Sequence, residues 1–269
     1  MSGTPGFHDG YNRGFDALVE KGFCVVAPSR PNYGRTKLTN DWKKAPEAAD
    51  GLAALMEELN IDSYAVFAAS GGGPQTCHLA LKYPERVKCI ILDGAITGGL
   101  RVEGTEKVQN NTHKMLVTSP SFPRGMHYFQ RSKPLKYVEH VLENMSSAPE
   151  EERKKQAQDI LADPRRMKVV EMITMIMIAP ALYPDVKETW DNDLDVDQVQ
   201  IPLEEIKVPT FVQHGRYDAL VPIAHGQGTA SRIPNCELLL TEDGCHVSSL
   251  NANYPEILDK WVEFLKKHL

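Results

Sequence analysis

The sequence predicts an α/β fold: a mostly parallel sheet with helices on both faces, interrupted by an inserted helical unit. Short apolar runs alternate with helix-like stretches in 1–97 and again in 206–269. This alternation is typical of a parallel sheet whose crossover connections are helices. Between Gly98 and Glu205 the alternation stops for far longer than an ordinary loop. We therefore expect a core made of 1–97 and 206–269, with 98–205 as the insertion.

Five apolar runs are predicted to form the strands. Each is short and apolar, as expected for a strand buried in a sheet. The runs are Phe23 to Ala27, Tyr64 to Ala69, Cys89 to Leu92, Thr210 to Gln213 and Glu237 to Leu240. In a parallel sheet the carboxyl ends of the strands lie at one edge, so residues that follow different strands can meet although they are far apart in the sequence.

Apolar residues at helical spacing predict the helices of the core. The stretches are Glu47 to Asn60, with Leu52, Leu55, Met56 and Leu59; Pro255 to Leu269, with Leu258, Trp261, Val262 and Leu265; Gln75 to Tyr83; and a shorter one with Phe15, Leu18 and Val19. Gly22 is expected to end the short helix, because glycine favours the position after a helix C-terminus. We interpret these apolar stripes as faces packed on the core, not as cofactor sites.

The insertion is predicted to be helical. Its helix-like stretches are Leu135 to Met145, Pro149 to Ala162, Met167 to Ile178 and Pro184 to Trp190. The run from Met172 to Pro180 is apolar on nearly every side, so we expect it to be buried between insertion and core. Two interpretations of its methionines stay open: a wall for an acyl chain or another apolar group, or ordinary packing in irregular gaps.

The composition fits a globular protein with a sizeable core and excludes several other classes. The chain has 269 residues, 42% of them hydrophobic, and a formal net charge of −6. Its lysines and arginines are spread along the chain, so nucleic-acid binding is not expected. No apolar run is long enough to cross a bilayer and no signal-like segment follows Met1, so we expect no membrane span and a cytoplasmic location.

The cysteines do not indicate a metal site. Cys24, Cys77, Cys89, Cys236 and Cys245 form an odd set without a C-x-x-C pair, so neither a zinc site nor a disulfide framework is predicted. We expect most of them to be small buried hydrophobes. Cys245 directly precedes His246 and could be taken for a nucleophile, but neighbouring side chains on a loop tend to point apart, so we do not assign it that role.

Ser70 is the candidate nucleophile. It lies between a strand-like run that ends at Ala69 and a helix-like run that begins at Gln75, in the segment Ala68-Ala69-Ser70-Gly71-Gly72-Gly73-Pro74. A serine on such a sharp strand-to-helix turn is raised above the edge of the sheet, and small neighbours let other backbone come close without a Cβ clash. The helix that follows adds partial positive charge near the serine.

Asp218 and His246 are the candidate acid and base. Asp218 follows the predicted strand that begins at Thr210, and His246 follows the run that ends at Thr241. A neutral serine is a poor nucleophile until a base takes its proton, and the base needs a carboxylate to fix its tautomer and stabilise its charged form. The three candidates occur in the order serine, acid, histidine.

Other residues compete for these roles. Asp93 follows the predicted strand that ends at Leu92 and is a second place for the acid, although the pattern around Asp218 is more specific. We expect His78, in the helix after the candidate nucleophile, and His214, at a strand end, to be structural.

On these motifs the chain resembles the alpha/beta-hydrolase family over nearly all of 1–97 and 206–269. The matching segments are Gly3-Thr4-Pro5-Gly6, Ala27-Pro28-Ser29-Arg30-Pro31-Asn32-Tyr33-Gly34, the Ser70 turn, Tyr83-Pro84-Glu85-Arg86-Val87, His214-Gly215-x-x-Asp218 and Gly244-x-His246. The resemblance implies that the backbone N–H groups of Gly71 and Thr4 form the oxyanion hole, since Pro5 cannot donate. It also implies that the insertion is a helical cap whose lining selects the substrate.

The start of the sequence departs from the family pattern. In relatives the glycine of the Gly3 loop usually follows a histidine, which ends a stretch of about three N-terminal strands, whereas this sequence begins Met1-Ser2-Gly3. By resemblance a central strand would lie between the predicted strands Phe23 to Ala27 and Tyr64 to Ala69, and without it both neighbours carry unpaired backbone groups. We therefore expect a core shortened at its N-terminus. Three explanations stay open: a start further upstream, closure of the two inner strands on each other, or a poorly stable relative.

Together these residues predict acyl transfer to water on a small-molecule substrate, without a metal or an organic cofactor. The substrate class expected is a small or medium carboxylic ester, although amides, thioesters and carbon–carbon bonds beside a ketone are also cleaved by proteins of this fold. Two alternatives stay open. One is a small-molecule receptor of the same fold with little turnover, and the other is a catalytically inactive, shortened relative.

Overall fold

Four parallel strands form one sheet in the computed structural model, which describes residues 15–30, 33, 36–37, 44–97, 122–182 and 200–269. The strands are β1 (Tyr64–Ala69), β2 (Val87–Asp93), β3 (Thr210–Gly215) and β4 (Cys236–Thr241). They lie in the order β1-β2-β3-β4, and each neighbouring pair is parallel. The predicted α/β fold with a parallel sheet is confirmed, and the last four predicted strands are present with ends that shift by no more than about two residues.

Helices cover both faces of the sheet. Within the described ranges they are α1 (Asp16–Glu20), α2 (Ala45–Glu58), α3 (Gly73–Lys82), α4 (Phe122–Ser132), α5 (Pro134–Met145), α6 (Glu150–Ala162), α7 (Pro164–Leu182), α8 (Ile223–Arg232) and α9 (Tyr254–His268). Alternate residues of a strand point to opposite faces. Ile90 and Leu92 accordingly pack in a cluster with α2 and α3, whereas Cys89 and Ile91 pack with α1 and α9. None of these helices is both long and apolar enough to cross a membrane.

The helices α4 to α7 share an apolar cluster of their own. Its centre is formed by Tyr137 and Leu142 of α5 with Ile160 of α6. Cys245 and Leu250, from the loop that follows β4, belong to the same cluster. The cluster therefore joins these helices to the edge of the sheet at which that loop lies.

The apolar run from Met172 to Pro180 is not buried on every side. Met172 and Ile173 are buried, but Met175 is 47% exposed. The prediction of burial on nearly every side is therefore wrong at Met175, because α7 packs on the other helices of its cluster along one face. The predicted helix from Pro184 to Trp190 lies outside the described residues.

The segment Phe23 to Ala27 is not a strand, so this prediction is wrong. A strand needs a hydrogen-bonded neighbour, and among the described strands β1 pairs with β2 alone. A cavity of about 480 Å³ is lined by Phe23 and Val26 of this segment and by Tyr64 and Val66 of β1. The apolar residues of the segment therefore line a cavity instead of joining the sheet, and the two segments do not close on each other as paired strands.

The cysteines are unpaired. Cys77, Cys89 and Cys245 are buried, Cys236 is partly buried and Cys24 is exposed. The prediction that most of them are small buried hydrophobes is therefore confirmed. The exposed Cys24 lies on the segment that lines the cavity beside β1.

Candidate active site

Ser70 lies at the turn between β1 and α3. The strand ends at Ala69, a short 3₁₀ turn runs over Ser70–Gly72, and α3 begins at Gly73. The φ angle of Ser70 is +48°, in the left-handed region, which costs a non-glycine residue roughly 1–3 kcal/mol and is found most often at functional sites. The carbonyl oxygen of Ser70 accepts a hydrogen bond from the N–H of Ile96 at 2.9 Å, which ties the turn to the segment after β2.

Gly73 has no room for a side chain. A Cβ at this position would lie 1.8 Å from the carbonyl oxygen of Ile96, so any other residue would have to move backbone. At position 73, therefore, glycine is required because the backbone of Ile96 lies too close for any side chain. Gly71, a candidate oxyanion donor, lies in the same turn. The other candidate donor, Thr4, lies outside the described residues.

Asp218 is a buried carboxylate in the loop that follows β3. Its side chain is inaccessible to solvent. Its Oδ1 accepts hydrogen bonds from the backbone N–H groups of Leu220 and Val221, both at 2.8 Å. Burial alone would raise the pKa of Asp218, but the neighbouring His246 and His214 outweigh burial and lower it to about 2. Asp218 is therefore ionised at neutral pH.

His246 is held by Asp218 through its ring and by the end of α5 through its backbone. Nδ1 lies 2.8 Å from Oδ2 and 3.0 Å from Oδ1 of Asp218. Because an ionised carboxylate can only accept, Nδ1 carries the hydrogen and Nε2 is the basic nitrogen of the neutral ring. Burial tends to lower the pKa of His246, but Asp218 outweighs it and raises this pKa above its ordinary value. The backbone N–H donates to the carbonyl oxygen of Met145, at the end of α5, at 2.9 Å.

Gly94 lets the acid and the base come together beside β2. Its φ angle is +52°, and a Cβ there would lie 3.1 Å from Oδ2 of Asp218 and 3.5 Å from Nδ1 of His246. A side chain at this position would therefore be strained by its backbone and crowded by the pair.

Ser70 and His246 line one cavity of about 130 Å³. The rest of its wall is mostly apolar; it includes Phe67 of β1, Tyr254 and Trp261 of α9, and Met145, Met172, Ile173 and Ile176 of α5 and α7. The contacts of the described residues include no hydrogen bond between Ser70 and His246. The structure thus brings the predicted nucleophile and base to one cavity and places the predicted acid against the base.

Asp93, the second candidate acid, lines the same cavity but is not the partner of the histidine ring. It is the last residue of β2 and is buried. Its Oδ1 is in hydrogen-bond contact with the hydroxyl of Ser248, and burial raises its pKa to about 7. Nδ1 of His246 contacts Asp218 instead.

The other candidates have surroundings that fit structural roles. Burial raises the pKa of the Cys245 thiol to about 12, so this thiol is protonated and unreactive at neutral pH. His214 is fully buried, and its Nε2 donates to the carbonyl oxygen of Val221 at 2.7 Å. His78 lies on α3, where burial lowers its pKa. No cluster of side chains suited to hold a metal ion occurs in the part of the chain that the structure describes.

Sequence reasoning missed the residues that hold the loop around His246. Nε of Arg166, on α7, donates to the carbonyl oxygen of Leu250 at 2.9 Å across 84 residues of sequence. The hydroxyl of Ser248 contacts Asp93 and the amide of Gln213, which are also far from it along the chain. No local motif marks such contacts, because each joins separate elements of the fold.

Comparisons with known sequences agree with this architecture. The alpha/beta hydrolase fold family matches residues 2–252. The uncharacterized hydrolase YcgS of Bacillus subtilis (strain 168) is 40% identical over 84 residues, and this match spans 31% of the chain but only 29% of that protein. The 2-hydroxy-6-oxononadienedioate/2-hydroxy-6-oxononatrienedioate hydrolase of Escherichia coli (strain K12 / DH10B) is 24% identical over 244 residues, which is 88% of this chain and 74% of that relative.

A comparison with solved structures gives the same fold. An alpha/beta hydrolase fold protein from Nakamurella multipartita matches with a TM-score of 0.86 and 24% identity, over 99% of this chain and 90% of the other. At this identity the likeness shows the fold alone. Because the family match extends over most of the sequence, the chain belongs to the alpha/beta hydrolase fold family.

Proposed function

We propose that this protein is a serine hydrolase that cleaves a small or medium carboxylic ester, with Ser70 as nucleophile, His246 as base and Asp218 as the acid that orients the base. The observation that carries the proposal is the 2.8 Å contact between Nδ1 of His246 and Oδ2 of Asp218, beside a cavity that both His246 and Ser70 line. Membership of a family whose named relatives include hydrolases supports it.

The first half of the reaction forms an acyl-enzyme. Nε2 of His246 takes the proton of Ser70 while the serine oxygen attacks the ester carbonyl. Asp218, held by the N–H groups of Leu220 and Val221, keeps the hydrogen on Nδ1 and stabilises the imidazolium that forms. The imidazolium then gives its proton to the leaving alcohol, and the acyl group remains on Ser70.

The second half of the reaction releases the acid. His246 removes a proton from a water molecule, and the resulting hydroxide attacks the carbonyl carbon of the acyl-enzyme. The protonated ring returns the proton to the oxygen of Ser70 as the bond to the acyl carbon breaks. The enzyme is then ready for another ester, and one water molecule has been consumed.

The negative charge that develops on the carbonyl oxygen needs hydrogen-bond donors in both halves of the reaction. The backbone N–H of Gly71 directly follows the nucleophile in the turn that leads into α3, and we propose Thr4 as the second donor. A single donor of this kind contributes roughly 2.7–4 kcal/mol to the stabilisation of the transition state. The positive end of α3 adds to the same effect.

The cavity favours an apolar acyl group of modest size. Its volume is about 130 Å³, close to that of the apolar cavity of ~150 Å³ that accepts benzene in an engineered protein. Its described lining holds no lysine or arginine, so a carboxylate on the acyl group finds no permanent positive charge among these residues. We propose 98–205 as a cap over the core, with Met172 and Ile176 of α7 as the wall that limits the acyl chain.

A panel of p-nitrophenyl esters of increasing acyl length tests this proposal. The variants are Ser70→Ala and, as a matched control, Ser249→Ala, because Ser249 lines the same cavity but does not follow β1. We expect short acyl chains to react fastest, Ser70→Ala to lose roughly 10⁴-fold or more of kcat/KM, and Ser249→Ala to remain within about threefold of the unmodified protein.

The outcome also separates the alternatives. Hydrolysis that survives in Ser70→Ala would contradict the assignment of the nucleophile. Inert esters, together with cleavage of a 2-hydroxy-6-oxo-dienoate, would assign the site to carbon–carbon bond hydrolysis. Folded protein that binds esters without turnover would support a receptor, and folded protein that neither binds nor cleaves them would support an inactive relative.

A further inference from the structure

A chain of buried hydrogen bonds runs from the cavity into the sheet beside the Asp218–His246 pair. It begins at Asp93 in the cavity wall and passes through the hydroxyl of Ser248 to Oε1 of Gln213. Nε2 of Gln213 then donates to the hydroxyl of Thr241 at 3.1 Å, and Thr241 donates to the carbonyl oxygen of His214 at 3.3 Å. Such a buried chain is stable only when its donors and acceptors match.

The number of hydrogens along these buried hydrogen bonds limits which atoms can donate. The hydroxyl of Thr241 uses its hydrogen on a carbonyl oxygen, so it accepts from Nε2 of Gln213, and Gln213 presents Oε1 to Ser248. Ser248 has one hydroxyl hydrogen and contacts two acceptor atoms, Oε1 of Gln213 and Oδ1 of Asp93. If Ser248 donates to Gln213, the contact with Asp93 needs a hydrogen on the carboxyl group.

We propose that Asp93 is a positioning residue that acts as a neutral carboxylic acid: it donates its hydrogen to Ser248 and so fixes the loop that carries His246, without adding a charge to the cavity. Ser248 lies two residues after His246 and begins the 3₁₀ turn Ser248–Leu250. The hydrogen bond from β2 therefore acts two residues from the base.

The neutral form also matters for the base itself. The negative charge of an ionised Asp93 is, after Asp218, one of the causes that raise the pKa of His246, and a ring held in its protonated form cannot take a proton from Ser70. Burial, against the opposing effect of the Ser248 hydrogen bond, raises the pKa of Asp93 to about 7. A proton kept on Asp93 thus removes one of the causes that raise the pKa of His246 and so favours the neutral, basic ring.

Titratable groups face Asp93 from three elements. His246 and Cys245 come from the loop after β4, Asp218 and His214 from the end of β3 and its loop, and Tyr254 from α9. Burial raises the pKa of both Cys245 and Tyr254 to about 12, so these two stay neutral, and the pKa of Asp218 is lowered to about 2.

Infrared spectra of the folded unmodified protein, compared with those of its variants, test whether Asp93 is protonated. This measurement needs no ester turnover. Near pH 6 exposed carboxyl groups, with pKa values of about 4, are ionised, so the C=O stretching band of a protonated carboxyl group reports a buried acid. We expect this band in the unmodified protein, its loss in Asp93→Asn, and its retention in Asp259→Asn, a matched change at a side chain that is 70% exposed. The band should fade as the pH rises through about 7.

Two infrared results would overturn the proposal. One is the absence of the band near pH 6 in folded protein. The other is a band that Asp93→Asn leaves unchanged, since this would place the protonated carboxyl group elsewhere.

Kinetics test the positioning role, and this part rests on the proposed hydrolase function. Asp93→Asn keeps a donor for Ser248 but cannot ionise, whereas Asp93→Leu removes the donor and keeps most of the volume. Near pH 6 we expect Asp93→Asn to remain within about threefold of the unmodified kcat/KM and Asp93→Leu to lose about tenfold or more. Equal losses of kcat/KM in folded Asp93→Asn and folded Asp93→Leu would show that the charge of Asp93 is needed and would overturn the neutral role. If the unmodified protein cleaves no ester, the proposed function fails, while the infrared result still decides the state of Asp93.

Discussion

Arg166 donates from α7 to the carbonyl oxygen of Leu250, with its Nε 2.9 Å from that oxygen. Leu250 ends the short turn that follows His246, and the backbone N–H of His246 itself donates to Met145 at the end of α5. The helices α5 and α7 therefore both hold the loop that carries the candidate base. Changes in these two helices are expected to affect the proposed chemistry as well as the choice of substrate.

The contact between Arg166 and Leu250 predicts a loss of activity in Arg166→Ala. The substitution removes a charged donor from a partly buried carbonyl oxygen, so we expect the free energy of unfolding to fall by roughly 1–3 kcal/mol. We expect kcat/KM to fall by about tenfold, because the base is less well placed. Arg165→Ala is the control, since the Arg165 side chain is 82% exposed. Urea denaturation and ester kinetics give both quantities, and equal effects in the two variants would contradict the role of Arg166.

The pairing of Asp218 with His246 predicts that Asp218→Asn loses most of its turnover. An amide in place of the carboxylate can donate to Nδ1, which favours the wrong tautomer of the ring and leaves the imidazolium without its counter-charge. We expect kcat to fall by about 10³–10⁴-fold, measured at neutral pH on a short-chain ester. The same substitution at Asp93 is the comparison, and a loss at Asp218 no larger than the loss at Asp93 would contradict the assignment of the acid.

The raised pKa of Asp93 predicts that stability falls as the pH rises toward neutrality. This pKa is about 7 in the folded protein, against about 3.9 in an unfolded chain. The stabilising contribution of the neutral group is therefore fully present below the unfolded value and is lost as the pH rises through about 7. Asp218 has the opposite sign: its contribution is present above its ordinary pKa and is lost as the pH falls through about 2.

A comparison of the free energy of unfolding of the unmodified protein and of Asp93→Asn isolates the contribution of Asp93 to the pH dependence of stability. We expect the free energy of unfolding of the unmodified protein to decline more steeply than that of the variant between about pH 4 and pH 8. Urea denaturation at several pH values measures both curves. Parallel curves would contradict a pKa shift at Asp93.

The close approach of Gly73 to Ile96 predicts that Gly73→Ala is harmful. Its new methyl group would lie 1.8 Å from a carbonyl oxygen, so the turn that carries Ser70 must move. We expect a loss of roughly 1–3 kcal/mol in the free energy of unfolding, together with a loss of activity. Gly125→Ala is the control in α4, where no atom would lie within 4 Å of the new group. There we expect a gain of about 0.5–1 kcal/mol. Thermal and urea unfolding of both variants would show the contrast, and a neutral Gly73→Ala would contradict it.

The position of Met172 predicts control of acyl length. Met172 lines the cavity with Ser70, whereas Met175 on the same helix is 47% exposed. Met172→Ala should enlarge the cavity and shift the preference toward esters with longer acyl chains. We expect kcat/KM to rise roughly tenfold for each pair of additional methylene groups that fills the new space. Met175→Ala should leave the preference unchanged. The same dependence of kcat/KM on acyl length in the two variants would contradict the role of Met172 in limiting the acyl chain.

Composition and periodicity were enough to predict most of the sheet and its helices. The apolar run that became β1 was predicted with its observed ends, Tyr64 and Ala69, because a strand buried in a sheet needs little beyond local hydrophobicity. Phe23 to Ala27 has a similar composition, yet it is not a strand, because strand formation depends on a neighbour that composition does not reveal. The helix α4 was missed because Pro123 and Gly125 interrupt its apolar pattern.

The candidate site was partly readable in the sequence. Ser70, Asp218 and His246 each follow a predicted strand, and the parallel topology explains why they lie at one edge of the sheet. The sequence could not show that Asp93 is protonated by its surroundings or that Arg166 holds the loop after His246. Both depend on contacts between elements that are far apart along the chain.

The most direct test of Ser70 as the nucleophile is the site at which a fluorophosphonate probe reacts. Peptide mapping by mass spectrometry should place the adduct on the peptide that carries Ser70. The adduct should be absent from Ser70→Ala and retained in Ser249→Ala. An adduct on any other residue, or labelling that persists in folded Ser70→Ala, would contradict the proposed chemistry.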